Sequence, residues 1–169
     1  MIDAELRELA ERLQEVCLGS GLTVAVAESC TGGLVAATLT EVAGSSGYFL
    51  GGVVSYADGA KSDVLGVPAA MIGAHGAVSA QVARAMAIAA RDRFGAALAV
   101  SVTGIAGPDG GAAGKPVGLT YIGLAETASV DVRRFVWGSD RTGNRLASVR
   151  ASLAWLIERS AALASGANP

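Results

Sequence analysis

The stretch that most constrains this 169-residue chain is Val24-Ala-Val-Ala-Glu-Ser-Cys-Thr-Gly-Gly33. Val24 and Val26 alternate with small residues, the pattern of a short buried strand. Glu28 and Ser29 end that run, and Thr31-Gly32-Gly33 open the apolar, helix-prone Leu34-Val35-Ala36-Ala37. A strand that stops at a polar pair and enters a helix through glycines puts Ser29 at the strand's carboxyl end. There it faces the free N–H groups of the helix's first turn. That position favours negative charge, either a bound anion or the oxyanion of a carbonyl under attack. The glycines let a ligand come close to the backbone. The same ten residues also suit an ordinary junction in which a serine or threonine caps the helix.

The rest of the chain supplies elements around this junction. Asp3 caps a first helix with Leu6, Leu9, Leu13, Val16 and Cys17 at helical spacing, closed by Gly19 to Gly21. The helix after Gly33 is predicted to reach about Val42. Tyr48 to Ala57 reads as a second strand, nearly all apolar and hence central, covered on both faces. A short helix carrying Lys61 follows, broken by Gly66-Val67-Pro68, with a turn at His75-Gly76. Ser79 caps a helix through Phe94, and Leu98 to Val102 is a third buried strand. Val117 to Ala125 and Val130 to Trp137 are predicted to pair antiparallel across a short polar turn. A last helix starts near Asp140, and the tail from about Ala161 is expected to fray. Strands alternating with helices, then a hairpin, predict an α/β fold. It is a three-layer α/β/α sandwich around a mixed, mostly parallel sheet of about five strands. The length and the absence of repeats or linkers predict one domain over 1–169.

Composition narrows the partners. Apolar residues make up 51% and charged ones 17%, so helices are expected to pack closely on the sheet. A net charge of −2 argues against a nucleic-acid partner, which needs a basic face. The longest uncharged windows are broken by glycines, serines, Pro68, His75 and Gln81, so no membrane span is expected. Met1-Ile2-Asp3-Ala4-Glu5 lacks the basic start of a signal peptide. Cys17 and Cys30 form neither a disulfide framework nor a metal spacing. A cytoplasmic, reduced protein is the expectation.

Three strand ends carry polar residues: Glu28-Ser29, Ser55-Tyr56 and Thr103-Gly104. If the strands are parallel, these ends share one edge of the sheet, where open α/β folds bind ligands. The glycine-rich loop from Gly104 through Gly107 to Gly111 matches neither the dinucleotide fingerprint nor a P-loop. It is either a mobile surface loop or a cradle of N–H groups for a phosphate or ribose. The sole histidine, His75, sits in a turn rather than in a Ser-His-Asp setting. What remains for hydrolysis is Ser29 with Lys61, a lysine able to accept a serine proton if desolvation lowers its pKa. Tyr56 stands where it could relay that proton or hold the pair. Against this, Lys61 also reads as a solvated surface lysine and Cys30 as a small core residue. Arg141 and Arg145, one turn apart, read as an exposed helix face or as a phosphate or carboxylate clamp.

Together these segments resemble the C-terminal domain of the competence-damage-inducible protein family, whose stand-alone form is a nicotinamide-nucleotide amidase. The matching text is Ala27-Glu-Ser-Cys-Thr-Gly-Gly33, Gly52-Val-Val-Ser-Tyr56, Ala60-Lys61 with Leu65-Gly-Val67, Gly76-Ala-Val-Ser79, Thr103-Gly-Ile-Ala-Gly-Pro108 and Lys115-Pro-Val-Gly118. The resemblance implies hydrolysis of the amide of nicotinamide mononucleotide, in homo-oligomers, with no metal or cofactor. It implies Ser29 as nucleophile, Lys61 as its base and Tyr56 assisting. Substrate contacts are expected from Glu28, Cys30, Thr31, Gly32 and Gly33, from Thr103, Gly104 and Gly107, and from Arg141 and Arg145. Where the family usually shows Gly-Asp-Arg and then a second Arg, this chain has Gly138-Ser-Asp-Arg-Thr-Gly-Asn-Arg145, with Asn144 at a normally apolar position. The other expectation is a non-catalytic nucleotide-binding or interaction module with the same pocket.

Overall fold

The computed structural model describes residues 2–166, built on one five-stranded sheet. The first helix, α1 (Ala4–Ser20), starts where the Asp3 carboxylate accepts the Leu6 N–H at 2.9 Å, and stops at left-handed Gly21. Strand β1 (Val24–Glu28) is buried along its whole length and lies between β2 (Phe49–Val54) and β3 (Leu98–Gly104), parallel to both. Strands β4 (Leu119–Ala125) and β5 (Val130–Val136) extend the sheet antiparallel, giving the order β2-β1-β3-β4-β5. One face carries α1, α2 (Leu34–Thr40) and α6 (Arg141–Ala164). The other carries α5 (Ala80–Phe94), flanked by α3 (Asp58–Leu65) and α4 (Ala69–His75).

Small residues on β1 let the two layers close in. Val24 and Val26 pack towards α1 and α6, while Ala25 and Ala27 meet Val82, Met86 and Ala90 of α5. Each face of the central strand thus has its own apolar cluster, which the dense Ala and Val composition permits.

Three features differ from the sequence-based expectation. Strand β2 is an edge strand rather than a central one, and Leu50 and Val54 are exposed. Its lack of charge reflects close approach. A Cβ on Gly52 would stand 2.4 Å from Val26 Cγ2, and one on Gly51 2.6 Å from Phe94 Cε1. The segment after Pro68 forms helix α4, because Met71 and Ile72 pack on the cluster beneath α5. Helix α6 continues to Ala164, with Leu163 against the core, so 161–164 do not fray. Ser165 and Gly166 turn at the helix end, and the remainder of the expected frayed tail, 167–169, lies outside the described residues.

The parallel arrangement of β1, β2 and β3 brings their carboxyl ends level, Glu28 pairing with both Val54 and Val102. Ser29, Ser55 and Thr103 therefore emerge on one edge of the sheet, where a cleft opens.

Candidate active site

Ser29 is held from both sides as it leaves β1. Its N–H donates to the Val102 carbonyl at 2.9 Å, and its own carbonyl accepts the Gly32 N–H at 3.0 Å. The neighbouring strand end is tied in too, the Ser55 N–H donating to the Glu28 carbonyl at 2.8 Å. Beyond Ser55, the chain turns through Tyr56 into α3 and returns Lys61 to the same place. Lys61 is only 1% exposed, and its Nζ donates to Ser29 Oγ at 3.1 Å. The Ser55 and Tyr56 carbonyls accept from the same nitrogen at 3.0 and 3.4 Å.

Burial strips the Lys61 ammonium of hydration and lowers its pKa; the nearby Asp58 carboxylate opposes this more weakly. A neutral amine has two N–H donors and one lone pair. Two carbonyls can take the donors, which leaves the lone pair free to accept the Ser29 hydroxyl proton. The neighbouring Cys30 thiol is driven the other way, pushed up to about 11 chiefly by burial, so it stays protonated near neutral pH. Of the two side chains able to attack, the hydroxyl has a base and the thiol has lost its acidity.

A cavity of ≈ 260 Å³ opens beside this pair. Cys30, Tyr56, Thr103, Gly104, Gly107 and Arg141 line it. The Thr103 hydroxyl is spent inward, donating to the Ala77 carbonyl at 2.9 Å. Arg141 spans the mouth, donating to the Gly107 carbonyl and to the Tyr56 hydroxyl, both at 2.8 Å. Tyr56 is 56% exposed, and its hydroxyl makes no hydrogen bond to Ser29 or Lys61 among the described residues. Its direct link to the pair is its backbone carbonyl.

Five expected substrate contacts lie elsewhere. The buried Glu28 side chain turns into the start of α2 and accepts the Gly33 and Val35 N–H groups at 3.0 Å and that of Ala36 at 2.9 Å. It does the capping that the sequence also allowed to a serine or threonine. The helix N-terminus is therefore already satisfied. Thr31, Gly32 and Gly33 form the turn behind the cavity rather than its wall, since the chain needs positive φ at both glycines to enter α2. Arg145 reaches the back of this turn and donates to the Thr31 carbonyl at 2.7 Å. The Gly32 N–H goes to Ser29 and that of Gly33 to Glu28, whereas the Cys30 and Thr31 N–H groups make no backbone hydrogen bond among the described residues. These two are the donors left beside Ser29.

Two residues of the site carried only weak signals in the sequence. Asp58 lines the cavity, with Oδ1 3.8 Å from Lys61 Nζ; the signal was an acid one helical turn before a lysine. Asn144 is buried and donates to the Ala106 carbonyl at 3.0 Å while accepting the Ser139 N–H at 3.0 Å. A polar side chain at a normally apolar position thus pins the glycine-rich loop to the start of α6. Among the described residues no three His, Cys, Asp or Glu side chains cluster closely enough to hold a metal ion.

The model of the CinA C-terminal domain matches residues 6–160. The chain belongs to the CinA C-terminal domain family. A CinA-like protein of Citrifermentans bemidjiense is 54% identical over 149 residues, covering 88% of this chain and 36% of that protein. The chain thus spans about a third of the length of the curated relatives it matches. The solved structure of competence/damage inducible protein CihA from Agrobacterium tumefaciens is similar throughout. It has a TM-score of 0.91 at 45% identity and covers 94% of this chain and 97% of that one. A CinA superfamily protein from Escherichia coli has a TM-score of 0.87 at 28% identity, with 93% and 92% covered. The CinA fold therefore persists while much of the sequence changes. No helix among the described residues is long and apolar enough to cross a membrane.

Proposed function

We propose that this CinA-family chain hydrolyses the carboxamide of nicotinamide mononucleotide to nicotinate mononucleotide and ammonia. The observation that carries the reading is the contact of buried Lys61 Nζ with Ser29 Oγ at 3.1 Å, beside a cavity. Ser29 Oγ attacks the carboxamide carbon while Lys61 Nζ takes the hydroxyl proton. The carbonyl oxygen becomes an oxyanion beside the Cys30 N–H at the cavity wall. As the C–N bond breaks, Lys61 returns its proton to the departing nitrogen, giving ammonia and an ester on Ser29. Water, losing its proton to Lys61, attacks that ester. The C–O bond to Ser29 then breaks as Lys61 gives that proton to Ser29 Oγ, and the acid leaves with both side chains restored. Arg141 and the 104–111 loop stand where the phosphate of such a substrate would emerge, and Arg141 would exchange a neutral partner for a charged one.

Purified protein with nicotinamide mononucleotide is expected to release ammonia, unaffected by a chelator. Ser29→Ala is expected to reduce the rate at least about a thousandfold, the scale of losing a nucleophile. Full activity in that variant would remove the covalent mechanism. Tight binding with no turnover by the unmodified protein would favour a non-catalytic module instead. Self-association into homo-oligomers is part of the same proposal, and sedimentation velocity tests it directly.

A further inference from the structure

The cavity's charges are unevenly placed. Of its four aspartate, lysine and arginine lining residues, Asp58 and Asp109 are acidic, Arg141 bridges the mouth, and Lys61 is the buried amine paired with Ser29. Asp58 stands nearest the reacting pair. Its Oδ1 is 3.8 Å from Lys61 Nζ, which is itself 3.1 Å from Ser29 Oγ. As a base, Lys61 must be uncharged when the substrate is attacked. Beside the reacting pair the fixed charge is then the Asp58 carboxylate, whose side chain is 64% exposed, while a guanidinium bridges the mouth.

That pattern complements a zwitterion with a positive centre close to the carboxamide and a negative group further out. A 3-carboxamidopyridinium has its formal positive charge on a ring nitrogen three bonds from the carboxamide carbon, so a ring attacked at Ser29 lies within reach of Asp58. Reduction to the dihydropyridine removes the charge but keeps the carboxamide, ribose and phosphate. We infer that Asp58 makes the site select a cationic pyridinium carboxamide over its neutral, reduced counterpart. This rests on the amidase reading and adds to it: the preferred substrate class is the oxidised, charged ring. Asp58 acts here as a specificity-determining residue, by attraction across the cavity rather than through bond making.

Relative turnover cannot test this alone, because the reduced ring is intrinsically the poorer electrophile. Affinity can. Calorimetry on Ser29→Ala should give oxidised nicotinamide mononucleotide about three- to fivefold tighter binding than the reduced form, the scale of an attraction to an exposed carboxylate. In Ser29→Ala/Asp58→Asn the ratio should fall to within about twofold. A ratio is the readout because damage to the fold weakens both ligands together, and Asp58→Ser repeats the measurement without a carboxamide. Asp109→Asn is expected to leave the ratio high. Equal affinities in Ser29→Ala, a ratio that survives removal of Asp58, or one that collapses with Asp109→Asn would each overturn the assignment to Asp58. None of these would disturb the amidase reading if the unmodified protein releases ammonia. No ammonia from either ring, with neither bound, would overturn the amidase reading and this inference with it.

Discussion

A lysine with an ordinary pKa is almost wholly protonated near neutral pH and cannot accept a proton from a serine hydroxyl. Lys61 differs because its chain lies buried under the sheet edge, and burial lowers its pKa. The proposed reaction should therefore quicken as pH rises through that lowered pKa, where the amine becomes free. The Asp58 carboxylate raises the pKa, so Asp58→Asn should move the rising limb of the pH–rate profile to lower pH. Lys61→Arg keeps a charge that cannot be shed and should cost about a hundredfold or more at every pH up to 9. An unchanged profile in Asp58→Asn, or an active arginine variant, would count against a lysine base. Glu28 makes a different prediction, since it is spent on structure. Three backbone N–H groups point at its carboxylate, and Glu28→Gln would turn an amide N–H₂ towards some of them. Urea denaturation should show a loss of about 2–4 kcal/mol.

At the scale of elements, the site depends on how closely strands and turns meet. Gly104 ends β3 against β4, and a Cβ there would lie 2.7 Å from the Leu119 carbonyl oxygen and 3.1 Å from Cys30 Sγ. Neither neighbour can yield without moving a strand or the turn beside Ser29. Gly104→Ala should lower stability by about 1–3 kcal/mol, measured by denaturation, and raise KM as the cavity wall shifts. The loop beyond Gly104 has three anchors: Asn144 on Ala106, Arg141 on Gly107 and Lys115 on the His75 carbonyl. Its glycines let it turn sharply, and the side chains of α6 fix where it stops. Edge strand β2 shows the limit of reading burial from composition. An uncharged run suggested coverage on both faces, but small residues packed edge-on against Val26 and Phe94 produce the same run.

Across the whole molecule, a pocket occupied only in the folded state couples binding to stability. Ser29→Ala, which cannot turn the substrate over, should be stabilised by about 2.7 kcal/mol when the mononucleotide is a hundredfold above its Kd. Thermal melts at rising ligand concentration check this, and no shift at saturating ligand would argue against a specific pocket. By itself the sequence determined the alternation of strands and helices, the capped starts at Asp3 and Ser79, the helix start near Asp140, and the polar strand ends around Ser29 and Thr103. These follow from local spacing and backbone chemistry, which need no distant partner. Only the tertiary structure decided that Lys61 meets Ser29, that Glu28 rather than a hydroxyl satisfies α2, and that Arg141 faces the cavity while Arg145 braces the turn behind it. Each of these last outcomes joins groups far apart in the chain or sets which way a side chain turns. Both are fixed by how layers pack, and no periodicity along the sequence records them.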